Sequence, residues 1–456
     1  MSADSIAVDR SASRRLMPVL FIGVFMAALD TAVIGPAIPA LRAAFGVDNR
    51  EVGLVMSAFI LFSLCSTAVM ADLSDRLGRR PIYLASVACF AVGSLLIALS
   101  PRFWMVIASR AIQGVGAGGI TPTASAVVGD AFPPQERGKA LGLIGATYGM
   151  AFVLGPPLAA VLLVTLNWRW IFLLNLPIAG LVLVLGARVL PRPHRRAMQP
   201  PLDWPGIAVA FLLLGCLVLG ITRIADELTG IRLWPWLLGG VGALLGLLIG
   251  VEGRARQALI PLRLFANRQL ATAYWLSLGV GFGMGSVIFV ASIATAAYAV
   301  PPSRVGFVLL PLVVSSMLGS AGAGRLLNRM GARGLLLAGF ALLALGYAAL
   351  SVTGYGLPAF LAGSVPVGLG IAVGGALRSI ALDEAPLGLR AAAQGLVNIC
   401  NAIGTLLAAA AVSAIADFGG GVAGFAAAYR AVAIVMLAAL LLSLRLRRGH
   451  AAAERS

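Results

Sequence analysis

Charge is scarce in this chain. Only 11% of its 456 residues are Asp, Glu, Lys or Arg, whereas 60% are apolar. A soluble domain carries roughly 25% charged residues, so this chain has too few to cover a water-facing surface. The shortage argues against a soluble protein and predicts an all-α integral membrane protein whose solvent is mostly lipid.

Cysteine and histidine are also rare, and neither forms a reactive pattern. All four cysteines lie inside apolar runs, without the spacing of metal ligands or of a disulfide framework: Cys65, Cys89, Cys216 and Cys400. Both histidines, His194 and His450, lie outside those runs. Neither a Walker-type phosphate loop nor a nucleophile constellation is present. We therefore expect no enzyme, no metal, no ATP drive and no cofactor.

The positive charge is unevenly distributed. The net charge is +17, and Lys139 is the only lysine among the 34 basic residues. Clusters such as Arg14-Arg15 and Arg195-Arg196 fall on the side that holds both termini when the loops are assigned alternately. This asymmetry predicts cytoplasmic termini for a multi-pass protein of the cytoplasmic (inner) membrane. Basic patches interleaved with aromatic residues are absent, so we expect no nucleic-acid partner.

Fourteen apolar runs are long enough to cross a bilayer, which needs about 20 residues. Transmembrane β-strands would be alternating stretches of about ten residues, and these runs are not. The predicted spans are 16–38, 52–71, 81–100, 104–128, 139–164, 170–190, 204–222, 233–251, 270–298, 305–326, 333–352, 358–380, 391–416 and 423–444.

Two polar islands occur twice, roughly 250 residues apart. ADLSDRLGRR from Ala71 is similar to GRLLNRMGAR from Gly324, and DAFPPQERGKALG from Asp130 is similar to DEAPLGLRAAAQG from Asp383. The repeat relates the first six spans to the last six, as in transporters built around a central path. We predict two pseudo-symmetric six-helix bundles, residues 1–190 and 270–456, joined by residues 191–269, a linker with two inserted transmembrane helices.

Ionisable residues deep in a membrane are costly, and few occur here. Asp30 lies midway along the first span and Arg110 lies within the fourth. Burial favours the protonated form of an acid, whereas a neighbouring arginine favours the charged form. Asp30 is thus a candidate proton carrier with Arg110 as its partner. The alternative is that Asp30 is a structural acid and Arg110 a static brace.

Neutral polar and aromatic residues offer a cargo site. Gln113 shares a helix face with Arg110, and Asn398 and Asn401 are one turn apart. Each of these side chains either lines a transport path or only ties helices together. The predicted substrate-binding residues are Gln113, Tyr148, Asn175, Tyr274, Phe282, Asn398 and Asn401.

Several segments together resemble one family. ADLSDRLGRR, RAIQGVGAGG from Arg110, LDTAVIGPAIP from Leu29 and NWRWIFLLNLPI from Asn167 are similar to motifs of the fourteen-helix drug:proton antiporter branch of the major facilitator superfamily. The resemblance runs from about residue 16 to residue 445. GATYGMAFVLGPPLAA matches the antiporter motif at Gly155-Pro156, although Ala151, Ala159 and Ala160 replace its usual glycines.

The resemblance implies proton-coupled efflux of a small lipophilic or cationic molecule by alternating access, from a monomer surrounded by membrane lipid, with the proton as coupling ion. It also assigns gating to Asp75, Arg76, Arg79, Asp130, Gly155 and Pro156. Export of a specific metabolite, lipid or siderophore, and proton symport, remain alternatives within transport. A non-transporting receptor or scaffold is the alternative from another class.

Overall fold

The computed structural model describes residues 10–132, 134–191, 203–223, 234–253, 262–301, 304–371, 373–386 and 390–447. These residues form helices and short connections and contain no strand. The helices are α1 Arg10–Phe45, α2 Asn49–Leu77, α3 Arg79–Leu99, α4 Phe103–Ala131, α5 Pro134–Thr165, α6 Arg169–Leu173, α7 Asn175–Val189, α8 Trp204–Arg223, α9 Trp234–Glu252, α10 Arg268–Val287, α11 Val290–Tyr298, α12 Val305–Val308, α13 Leu310–Leu350, α14 Gly356–Ile371, α15 Gly374–Glu384, α16 Arg390–Gly419 and α17 Gly421–Ser443.

Eleven helices among the described residues are long and apolar enough to cross a membrane. This confirms the prediction of an all-helical, multi-pass membrane protein. The other three predicted spans fall on α4, on α5 and on α12 with the start of α13. Shorter apolar stretches occur there at Leu154–Thr165 and Leu310–Ser320. The count of fourteen spans stays a prediction.

Two glycines turn the chain at equivalent points of the repeat. Gly78 separates α2 from α3 with φ 100° and ψ 156°. Gly331, its counterpart, interrupts α13 with φ 69° and ψ 173°. Both angles lie in a region that side chains with a Cβ rarely adopt, so glycine is the residue that fits. The helical rod α13 therefore contains two segments, which match the separate predicted spans 305–326 and 333–352.

The described chain forms two compact units. Unit 1 comprises Met1–Val33, Phe62–Gly155 and Leu166–Leu202. Its centre is the contact of α3 with α4, where the backbones lie very close. A methyl group on Gly93 would lie 2.6 Å from the Cα of Gln113, and one on Gly116 would overlap the backbone nitrogen of Phe90. Small residues permit this approach in lipid, where hydrophobicity alone does not bring helices together.

Unit 2 comprises Ile34–Leu61, Pro156–Thr165 and Asp203–Ser456. Its contact of α13 with α14 repeats the contact of α3 with α4. A methyl group on Gly346 would lie 2.8 Å from the backbone nitrogen of Val367, and one on Gly370 would lie 2.7 Å from the Cγ of Leu343. The sequence repeat is therefore also a repeat of helix packing. The three-domain division of the chain stays a prediction.

Unit 2 also contains parts of α1, α2 and α5, which come from the first half of the chain. Inside this unit, Gly35 of α1 lies against the backbone of Ile288. A methyl group on Gly35 would lie 3.3 Å from the carbonyl oxygen of Ile288. Gly306 of α12 lies directly against the carbonyl of Pro156 on α5. Helices from the two halves of the sequence thus pack together closely at these points.

Candidate functional site

A carboxylate is enclosed in the first unit. Asp30, in the middle of α1, has no solvent-exposed surface. Its Oδ2 accepts a hydrogen bond from Arg110 Nη1 at 2.6 Å, and its Oδ1 accepts from Gln113 Nε2 at 2.9 Å and from Asn175 Nδ2 at 3.0 Å. Arg110 and Gln113 are likewise fully buried, and Asn175 is 1% exposed. The structure therefore brings four of the predicted site residues into one cluster.

The partners of Asp30 come from two other helices. Arg110 and Gln113 are three residues apart on α4 and share a face, and Arg110 Nη1 also donates to Gln113 Oε1 at 2.6 Å. Asn175 begins α7. The guanidinium of Arg110 lies 5.9 Å from the ring centre of Phe172 on α6, a geometry that favours a cation. The α1 acid is thus held by α4 and α7.

Ser94 of α3 completes the cluster, although the sequence analysis did not single it out. Its Oγ accepts from Gln113 Nε2 at 2.8 Å and from Asn175 Nδ2 at 3.2 Å, and it donates to the carbonyl of Phe90 at 3.0 Å. Ser94 is fully buried. Its neighbour Gly93 permits the close approach of α4. The glycine beside Ser94 was therefore the feature of the sequence that could have indicated a buried, helix-facing serine.

The charges of the cluster balance. Three donors surround the Asp30 carboxylate, one of them the guanidinium of Arg110. One negative and one positive group also leave the enclosed pair without net charge. A change in the charge of either residue would remove that balance inside the protein, which is costly. A transport step that changes it therefore requires a rearrangement of the cluster.

Among the residues that the structure describes, the corresponding place in the second half of the chain is neutral. There the hydroxyl of Tyr347 donates to the carbonyl of Gly283 at 2.5 Å, and the hydroxyl of Tyr429 donates to the carbonyl of Ser286 at 3.3 Å. The two tyrosine rings stack with centres 5.6 Å apart. By the offset of the repeat, Tyr347 corresponds to Ser94 and Gly283 to Asp30. The repeat is symmetric in packing and asymmetric in charge.

A second charged group lies where α2 and α4 end and α3 begins. Arg79 Nη2 pairs with Asp75 Oδ1 at 2.5 Å, and Arg79 Nε pairs with Asp130 Oδ2 at 3.0 Å. Three of the predicted gating residues are therefore together. The fourth charged gating residue, Arg76, pairs with Asp72 at 2.6 Å on the same helix.

The Gly155-Pro156 pair of α5 lies beside the helix that carries Asp30. A methyl group on Gly155 would lie 2.7 Å from the Cβ of Ala32, two residues after Asp30. Any larger residue at Gly155 would push α5 away from α1. The position of the acid is thus coupled to the packing of α5.

The remaining predicted substrate residues do not join the cluster. Tyr274 is buried, with its ring 5.0 Å from that of Phe265. Phe282 and Asn401 are half-buried, and Asn398 is exposed. The side chain of Tyr148 lies outside the part of the chain that the structure describes. A cavity of about 890 Å³ contains none of the predicted substrate residues, and the residues that line it include Arg268, Thr272, Trp275, Glu384 and Arg445.

A sequence profile and several similar proteins all indicate the same family. The sequence profile of the Major Facilitator Superfamily matches residues 20–203. The uncharacterized MFS-type transporter YfiU of Bacillus subtilis is 31% identical over 416 residues, which cover 89% of this chain and 80% of that protein. The multidrug transporter protein MdtP of the same organism is 28% identical over 379 residues, covering 81% and 69%.

An uncharacterized MFS-type transporter of Mycobacterium tuberculosis is 32% identical over 374 residues, which cover 80% of this chain. The matched region spans about half, 54%, of that longer relative. Among solved structures, a POT family transporter in complex with 5-aminolevulinic acid has a TM-score of 0.71 at 14% identity, covering 94% of this chain and 96% of that one. This likeness concerns the fold alone. The profile match, together with the similarity to YfiU over most of both proteins, places the chain in the major facilitator superfamily of membrane transporters.

Proposed function

We propose that the chain is a proton-coupled exporter of the fourteen-helix drug:proton antiporter branch, working by alternating access in the cytoplasmic membrane with both termini inside the cell. The observation that carries the proposal is the buried Asp30–Arg110 pair, with its 2.6 Å contact. Ionisable residues within a membrane mark coupling or substrate paths far more often than they serve packing.

Asp30 is the proton carrier in this proposal, and Arg110 controls its proton affinity. In the arrangement described here, the carboxylate is held as an anion by Arg110, Gln113 and Asn175. Movement of α4 against α1 separates the guanidinium from Asp30 and exposes the acid to the outside, where Asp30 takes a proton from water. Return of Arg110 to Asp30 on the inner side releases that proton. One cargo molecule moves outward for each such cycle.

The proposed cargo is a small lipophilic molecule, neutral or carrying a single positive charge. Support comes from the second half of the described chain, where the place equivalent to Asp30 holds Tyr347, Tyr429 and backbone carbonyls and no acid. A multiply charged cation would need further carboxylates to offset its desolvation. That relatives such as MdtP are named multidrug transporters also supports this class of cargo.

The Asp75–Arg79–Asp130 group is the proposed inner gate. Arg79 joins the end of α2 to the end of α4, and its side chain is 19% exposed. Ion pairs near water are worth about 0–1 kcal/mol each, so this group can form and break within a transport cycle.

Purified protein in lipid vesicles tests the proposal. An imposed pH gradient should drive ethidium, a lipophilic monocation, into the compartment from which protons leave, and a lumenal pH dye should record proton movement in the opposite direction. A protonophore should abolish both signals. Proton movement in the same direction as cargo would establish symport instead, and binding of ethidium without flux would establish a receptor.

A further inference from the structure

The predicted topology puts Asp417 on the outer side of the membrane, opposite the arginine-rich clusters. The sequence analysis indicates a loop around this residue. The structure corrects this, because α16 continues to Gly419 and Asp417 lies in its last turn. Its side chain is only 11% exposed.

The carboxylate of Asp417 binds the beginning of another helix. Its Oδ1 accepts from the backbone nitrogen of Asn49 at 3.2 Å and from Asn49 Nδ2 at 2.6 Å. Its Oδ2 accepts from the backbone nitrogen of Arg50 at 2.5 Å and lies 3.5 Å from Arg50 Nε. Asp417 therefore meets four donors, all from the first two residues of α2.

These donors need a partner from outside α2. The first N–H groups of a helix have no partner within it and carry partial positive charge. Asp48 and Glu51 cap the start of α2 reciprocally, because Asp48 Oδ1 accepts from the nitrogen of Glu51 and Glu51 Oε2 accepts from the nitrogen of Asp48. That exchange leaves the nitrogens of Asn49 and Arg50 to Asp417.

The same two helices are in close contact one turn further along each. Gly53 of α2 faces Ser413 of α16, and a methyl group on Gly53 would lie 2.9 Å from the Cβ of Ser413. Within unit 2, α2 comes from the first half of the repeat and α16 from the second. Asp417 thus joins two helices that alternating access has to separate.

We infer that Asp417 is a latch on the outer side of the transporter, holding α2 and α16 together until the outer side opens to release cargo. The inference rests on the proposed function for its role in transport, although the latch itself is a property of the conformational equilibrium. Separating the helices removes four donors from one carboxylate at once. The latch therefore favours the conformation in which the outer side is closed, through contacts between α2 and α16 alone.

The test measures the distance between spin labels at two exposed positions, Ala44→Cys at the end of α1 and Phe418→Cys on α16. The native cysteines are replaced by serine, and the protein is in lipid nanodiscs. Asp417→Asn should raise the ratio of long to short distances about tenfold, equivalent to about 1.4 kcal/mol. Asn49→Ala, which removes one of the four donors, should shift the ratio in the same direction by less.

Glu51→Gln is the matched control, because it removes a carboxylate charge at the same helix end, keeps an acceptor for the nitrogen of Asp48 and contacts Asp48 rather than α16. It should leave the distance distribution unchanged. An unchanged distribution in both Asp417→Asn and Asn49→Ala would overturn the inference, as would an equal shift in the control. These distances need neither cargo nor a pH gradient, so a latch without proton-driven transport would contradict the proposed function alone.

Discussion

Burial should determine how much each ion pair contributes to the stability of this protein, and two pairs with equal contact distances allow the comparison. Arg110–Asp30 and Arg76–Asp72 both have contacts of 2.6 Å. The first pair is 0% exposed on both sides, whereas the side chain of Arg76 is 38% exposed. Removing one partner of a buried pair costs about 3–5 kcal/mol, whereas an exposed pair is worth about 0–1 kcal/mol.

Asp30→Asn should therefore lower the melting temperature of the purified protein in detergent by several degrees, while Asp72→Asn leaves it nearly unchanged. The physical reason is that Arg110 keeps its buried charge and loses the carboxylate of Asp30. The double variant Asp30→Asn with Arg110→Gln removes both charges and should recover most of the lost stability.

A transport assay on the same variants distinguishes a loss of proton coupling from a loss of stability. Both Asp30→Asn and the stable double variant should fail to concentrate ethidium against its gradient in vesicles, because neither carries a proton. Equal melting shifts for Asp30→Asn and Asp72→Asn would refute the reasoning from burial. Uphill transport by the double variant would refute the assignment of Asp30 as proton carrier.

Three further substitutions, the first with a matched control, test the helix packing, the Asp30 cluster and the gate. Gly116→Ala should destabilise the protein, because the new methyl group overlaps the α3 backbone, whereas Gly129→Ala, with open space around it, should have little effect on the melting temperature. Ser94→Ala should cost about 1–3 kcal/mol by removing an acceptor from Gln113 and Asn175, and an unchanged melting temperature would argue against its place in the cluster. Arg79→Gln should lose both ion pairs of the inner gate and change the rate of transport, while its melting temperature falls by less than that of Asp30→Asn; a normal rate would contradict a gating role.

Patterns that repeat along the chain were visible in the sequence. Apolar runs predicted the helices, and the duplicated islands predicted a repeat whose glycines, Gly78 and Gly331, turn the backbone in the same unusual way. Asp30 and Arg110 also stood out as a pair, since ionisable residues in a lipid setting are few. Local composition is enough for such features because the bilayer imposes the same demand on every span.

Features that depend on which helices touch were not visible. Ser94 is an ordinary serine in an apolar helix until Gly93 brings α4 against it. Gln113 and Asn175 were predicted as cargo contacts, and the sequence did not indicate that their amides bind Asp30; their contact with cargo stays a prediction. Asp417 looked like a loop residue because the pattern of apolar residues fades near helix ends. Each of these outcomes depends on tertiary packing that one sequence does not encode locally.

The stacked tyrosines have an electrical consequence. Tyr347 and Tyr429 lie where the counterpart of Asp30 would lie. Under the proposed function, Asp30 is then the one proton carrier among the described residues, and one elementary charge enters per turnover. Exchange of one monovalent cation for one proton is then electroneutral, so its rate should not depend on the membrane voltage. Exchange of an uncharged molecule for one proton carries current, so the voltage dependence of transport should distinguish the two kinds of cargo.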